Sequence, residues 1–304
     1  MRPTRRPTRR PTSTPGSEPA SHTTAAPEAA PRSALRSLCS PAALTGSLTE
    51  LAWVGAHVLL YPLGARTEQL QPDRLHRPGQ SPAVRALFSA DPLAARTPVL
   101  LVHGLVDNRS IFAVMRRSLR RRGFASVCSW NYSPLLRDVA RAAQDLGAHI
   151  ERICAQTGHE RVHVVGHSLG GLIARYHVQR QGGDRRVDSL VTLGTPHGGS
   201  LLAHALPTPL VRQLRPGSPV LRELAEPVDR CDTRITAVYS DLDQLVLPTS
   251  AGRCDHPDLA ARNVLFRGVG HMSLPIHRGV LDEVALTLAG AGTAVPDRTV
   301  RAAA

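Results

Sequence analysis

Residues 164–172 read V-V-G-H-S-L-G-G-L, and the pattern changes inside that run. Up to Val165 it continues a short apolar segment, R-V-H-V-V at 161–165. Beyond Ser168 apolar residues recur to Gln181, where Gly182-Gly183 stops them. A run too short for a helix followed by one of helical length predicts a strand turning sharply into a helix, with Ser168 at the apex. A serine exposed at such a turn sits in strained backbone and needs neighbours without bulk, which Gly166 and Gly170 supply and Gly171 extends. If the glycines served only helix–strand packing and Ser168 only capped the helix, the turn would be explained and its serine would not.

The same alternation extends in both directions. P-V-L-L-V at 98–102 is stopped by H-G and reads as a strand buried on both faces. Asp107 and Asn108 are caps for a helix carrying Ile111, Met115 and Leu119 to Gly123. F-A-S-V-C-S-W at 124–130 is the next strand. Ser133-Pro134 opens a helix with Leu136, Ala140, Ala143, Leu146, Ile150 and Ile153 on one face, ended by Gly158. After the central turn come strands at 187–193, 234–239 and 263–267 and a closing helix over 276–288. Strands alternating with helices imply an α/β fold with a doubly wound, mostly parallel sheet.

In such sheets ligands meet the carboxyl ends of the strands, here His103-Gly104-Leu105, His167-Ser168-Leu169, Gly194 to His197, Asp241 and Asp243, and Gly270-His271. A serine becomes a nucleophile only when a base takes its proton and an acid orients that base. After a nucleophile elbow the expected chain order is acid, then histidine. Asp243 and His271 arrive in that order, each after a strand. Asp243 is favoured over Asp241 because it directly precedes the apolar return Q-L-V-L-P; Asp255 and Asp258 are more distant alternatives. His103 and His197 also lie near strand ends, but on elements better read as an oxyanion loop and a pocket floor. Backbone amides of Leu105 and Leu169 are the candidate oxyanion donors.

P-V-L-L-V-H-G at 98–104, G-H-S-L-G-G at 166–171, L-G-T-P-H-G-G at 193–199, Y-S-D-L-D-Q-L-V-L-P at 239–248 and G-V-G-H at 268–271 together resemble the serine lipases and esterases of the α/β-hydrolase superfamily. They look most like small bacterial triacylglycerol lipases, including actinobacterial ones. The resemblance covers residues 97–292. It implies an α/β-hydrolase fold and carboxylic-ester hydrolysis through an acyl-enzyme, with Ser168, Asp243 and His271 as the triad and Leu105 and Leu169 as the oxyanion amides. It implies no cofactor and no metal. The H-G-L loop departs from the H-G-G-G form of other esterases, which favours the lipase-like branch and leaves the substrate open. Acyl transfer from the same acyl-enzyme and a noncatalytic ligand-binding role remain as alternatives.

Between Leu201 and Pro227 lies a Pro-broken apolar segment, read either as packed helices or as a small cover lining an acyl pocket; no large cap domain fits there. Residues 293–304 read as a flexible tail. Residues 1–36 form a basic Pro/Thr/Ser-rich tail with almost no large apolar residue, expected to be disordered. Its seven arginines against Glu18 and Glu28 account for +5 of the net +13. All 37 basic residues are arginine, a compositional bias, so the charge does not by itself indicate a nucleic-acid partner. Lipid or another ester is the expected partner, with peripheral contact to a lipid surface; oligomeric state is not legible. Within 37–96, the apolar stretch Leu51–Ala65 is short for a bilayer span, which needs about 18–20 residues. It suits a signal-peptide core or envelope anchor as well as a packing helix, which favours a secreted or envelope location. Of the five cysteines, Cys231 and Cys254 are placed to form a disulfide in an oxidising compartment.

Overall fold

A computed structural model describes residues 94–105, 107–132 and 136–290, with strand 298–301. The basic tail, the apolar stretch 51–65 and the Ser133-Pro134 cap lie outside the described residues, and the readings placed on them rest on sequence alone. Seven strands form one sheet: β1 (Val99–Val102), β2 (Val127–Trp130), β3 (Val162–His167), β4 (Val187–Leu193), β5 (Arg234–Ser240), β6 (Arg262–Arg267) and β7 (Arg298–Arg301). Their order is β2-β1-β3-β4-β5-β6-β7, with every neighbouring pair parallel. Within 293–304, β7 pairs with Val264 to Arg267 at the sheet edge.

Period-two alternation in the strands divides the core into two layers. Leu100, Val102, Val162, Val164 and Leu190 pack with Leu146, Ile150 and Ile153 of α2 (Val139–Thr157) and Leu172 of α3 (Leu169–Arg180). Val99, Leu101, Val165, Val191 and Leu193 face the other way, onto Met115 and Leu119 of α1 (Ala113–Arg121) and Val280, Val284 and Leu288 of α6 (Arg278–Leu288). Each such buried side chain contributes roughly 1.5–3 kcal/mol. β1 and β3 are buried throughout because helices cover both faces.

Two starts differ from the sequence reading. α2 begins at Val139, where Asp138 accepts from the Arg141 amide at 2.8 Å, and it ends at Gly158 in the left-handed region. Before α1, Asn108 caps a single 3-10 turn over Arg109–Phe112, and Asp107 meets His167 inside the fold. The Leu201–Pro227 segment packs on the core through short helices, the first of its two readings. It holds a 3-10 turn (Leu201–His204) and two short helices, α4 (Pro209–Arg212) and α5 (Pro219–Glu223), with Leu210, Val211, Val220 and Leu221 buried. Cys231 and Cys254 are free thiols in this structure, with Cys254 buried in the α2–α3 core layer. Among the described residues no helix is long and apolar enough to cross a membrane.

The chain order reverses between β1 and β3, which places the crevice of the sheet at their carboxyl ends. There Ser168 adopts φ 53° and ψ −123°, a conformation costing about 1–3 kcal/mol in a residue with a side chain. The turn is tight enough that a Cβ on Gly170 would fall against the carbonyl oxygens of Val102 and His103. Gly170→Ala is therefore expected to destabilise the fold by about 1–3 kcal/mol, read as a lower urea midpoint at unchanged m-value.

Candidate active site

Ser168 is fixed from three sides. Its amide donates to the Leu193 carbonyl at 2.8 Å, and its carbonyl accepts from the Gly171 amide at 3.1 Å and the Thr195 hydroxyl at 2.9 Å. These bonds offset the backbone strain and carry the φ value that aims the serine out of the sheet. The next residue, Leu169, is the first of α3, so its amide belongs to the helix end where unpaired N–H groups and the positive end of the dipole lie. Leu105 lies half-buried in the loop after β1.

His271 and Asp243 meet beside this elbow. His271 Nδ1 lies 2.7 Å from Asp243 Oδ2, with side-chain exposures of 3% and 2%, a charge-assisted geometry withdrawn from water. The other Asp243 oxygen accepts from the Leu245 and Val246 amides, each at 2.9 Å. Three hydrogen bonds thus hold the carboxylate in one orientation. Asp241 instead accepts from the Gly268 amide at 2.8 Å and pairs with Arg267 at the surface. Asp255 pairs with Arg253, and Asp258 accepts from the Val228 amide. Of the four acids weighed, only Asp243 reaches His271. The His271 ring stands 4.8 Å, centroid to centroid, from that of His167, which immediately precedes the serine.

The competing histidines have structural partners. His197 donates from Nε2 to Thr192 Oγ1 at 2.9 Å, and its Nδ1 accepts from Arg175 at 3.3 Å. Burial, and then the Arg175 charge, push its pKa well below the usual imidazole range, so it stays neutral. His103 stacks on Tyr132 with ring centroids 4.2 Å apart and planes 14° from parallel.

Two supports were not legible. Tyr132, beyond β2, donates to the carbonyls of His103 at 3.0 Å and Gly104 at 2.5 Å, clamping the loop that carries Leu105. Asp107 and His167 form a second buried histidine–aspartate contact at 3.1 Å. A polar residue after each strand was the available signal, but neither its direction nor its partner follows from spacing. Among the described residues, no three or more His, Cys, Asp or Glu side chains are grouped to hold a metal ion.

Residues 97–223 match the family model described as the alpha/beta hydrolase fold. A triacylglycerol lipase of Burkholderia plantarii is 35% identical over 127 residues, covering 39% of this chain and 35% of that lipase. Another, from Pseudarthrobacter phenanthrenivorans, is 36% identical over 118 residues, covering 36% of each chain. The chain spans little more than a third of the length of these relatives. The mature form of Bacillus licheniformis lipase BlEst2 superposes with a TM-score of 0.53 at 17% identity, covering 74% of this chain and 96% of that one. Aspergillus fumigatus lipase B gives 0.52 at 16% identity, covering 77% and 69%. Sheet order, elbow and family match agree: the described domain has the α/β-hydrolase fold.

Burial first, and then the Asp107 charge, raise the Tyr132 pKa well above its ordinary value of about 10. A group whose folded pKa is raised contributes stability that is complete below the unfolded value and is lost as pH climbs toward the folded one. Melting temperature is therefore expected to fall above about pH 10, with Tyr132→Phe flattening that part of the profile. At neutral pH the same variant costs about 1 kcal/mol through the lost hydroxyl bonds.

Proposed function

We propose that the protein is a serine carboxylic-ester hydrolase of the lipase and esterase type. The observation that carries this reading is the buried His271–Asp243 contact of 2.7 Å beside a serine held at a strained strand-to-helix turn. Ser168 attacks the ester carbonyl as His271 takes its proton, and Asp243 fixes the tautomer and stabilises the imidazolium. Amides of Leu105 and Leu169 receive the developing oxyanion. His271 then protonates the leaving alcohol and activates water to release the acid. The likeness to triacylglycerol lipases supports the ester class.

Fluorophosphonate is expected to label Ser168 of the folded protein and to leave Ser168→Ala unlabelled. That variant should lose on the order of 10⁶ in kcat, and Asp243→Asn about 10⁴. Full activity in Ser168→Ala would remove the enzyme reading.

The surface beside Asp243 supports a lipid substrate. Leu201, Leu202, Leu206 and Leu245 are 58%, 41%, 55% and 48% exposed. They lie on two loops joined where the Leu201 amide meets the Leu247 carbonyl and Ser200 Oγ meets the Leu245 carbonyl at 2.7 Å. Exposed leucines adjoining a hydrolytic site suit an acyl chain approaching from a lipid surface. On p-nitrophenyl esters from C2 to C16, Leu202→Ser with Leu206→Ser is expected to lower rates on the emulsified long chains several-fold and spare the short ones. Equal losses at every chain length would count against a lipid-facing role.

A further inference from the structure

Tyr132 acts on the very peptide group that carries the Leu105 amide. Its hydroxyl donates to the Gly104 carbonyl at 2.5 Å, with a longer arm to the His103 carbonyl at 3.0 Å. A hydroxyl has one hydrogen, and the nearer oxygen takes the larger share of it. The Gly104 oxygen and the Leu105 N–H belong to one planar unit, and that peptide bond is trans. Oxygen and N–H therefore point in opposite directions, so fixing the oxygen fixes the N–H, aimed away from Tyr132. Gly104 itself packs against the elbow: a Cβ on it would stand 3.1 Å from Ser168 Cβ. Among the described residues the Leu105 amide meets no acceptor of its own.

We infer that Tyr132 is a positioning residue of the ester-cleaving site, which aims the Leu105 N–H and strengthens it as an oxyanion donor through the Gly104 carbonyl. The inference rests on the role proposed above for the Leu105 amide. Strengthening follows from polarisation. A hydrogen bond accepted by an amide oxygen makes the N–H of the same amide more positive, an effect of roughly 10–30% per bond in condensed phases. The gain falls mainly on the transition state, because the oxyanion carries more charge than the ester carbonyl from which it forms. Tyr132 can hold the oxygen because its own ring is held. The ring is buried, stacked on His103 with centroids 4.2 Å apart and tilted against Trp130 at 5.4 Å. β2 ends at Trp130 and lies at the sheet edge beside β1, so the strand that supplies no reacting group reaches the site through this hydroxyl.

Tyr132→Phe keeps the ring and removes the donor, while 4-aminophenylalanine in place of Tyr132 keeps the ring with a weaker donor. His103 Nδ1 lies 2.8 Å from the same Gly104 oxygen and stays in both proteins, so the loss is partial. Rates on p-nitrophenyl butyrate are taken per site titrated by fluorophosphonate, which counts folded protein alone. Y132F should lose about tenfold in kcat at nearly constant KM, less than the ~10²–10³ expected for losing a direct oxyanion donor. Affinity for a trifluoromethyl ketone, whose adduct with Ser168 carries an oxyanion, should fall by a similar factor. The aminophenylalanine protein should lie between wild type and Y132F in both measurements, and its comparison with wild type decides the matter if Y132F does not fold. Unchanged ketone affinity, or a loss that falls on KM or thermal stability alone, overturns the inference. Failure of wild-type Ser168 to react with fluorophosphonate would instead sink the hydrolase reading, so the two failures are distinct.

Discussion

The left-handed backbone of Ser168 is the constraint on which the rest of the site depends. A residue with a side chain holds φ 53° only where the surroundings over-determine it. Here they do so through bonds from β4 and its following loop, at Leu193 and Thr195, and through the close approach of α3 to the end of β1 at Gly170. The strain and the packing are one arrangement. Bringing α3 so near β1 forces the sharp turn, and the turn directs Leu169 into the helix end while His167 remains in the sheet.

Around that turn, buried polar groups are sorted by partner. Arg175 is buried, and its guanidinium bonds to neutral acceptors, Gln179, His197 and the Leu224 carbonyl. A buried cation so placed has its pKa lowered by desolvation and repels a proton on His197, which fixes that histidine as a neutral brace. His271 faces a carboxylate and has the opposite environment. One sheet edge therefore carries imidazoles with different neighbours, a guanidinium at His197 and a carboxylate at His271.

Much of this was legible in the sequence because it follows from periodicity. Buried strands appear as short apolar runs, and β4 over Val187–Leu193 has the bounds its pattern gives. The elbow was legible because glycines on both sides of a serine have no other economical explanation at a strand-to-helix junction. The acid was less so. Asp241 and Asp243 differ by two residues, and what separates them is that the chain turns after Asp243, so that the Leu245 and Val246 amides fold back on its carboxylate. Capping is local, so the reading of Asp107 as a cap gave no sign of its contact with His167, sixty residues away in sequence. Tyr132 was not seen for the same reason: a tyrosine after a strand carries no sign that its hydroxyl will meet two carbonyls on another loop.

The end of β4 shows what a strand contributes when it supplies no reacting group. Gly194 follows it at φ 56°, and a Cβ there would stand 3.0 Å from both Asp243 Oδ2 and His271 Nδ1. Any side chain would push apart the two atoms of the 2.7 Å His271–Asp243 contact. A glycine is thus required by both its backbone angle and its neighbours. β1 leads into Leu105, β3 into Ser168, β5 into Asp243 and β6 into His271; β4, central among them, leaves the space in which Asp243 and His271 meet. The same strand end then returns Thr195 to the Ser168 carbonyl, so the segment that keeps clear of one couple also holds Ser168 in place.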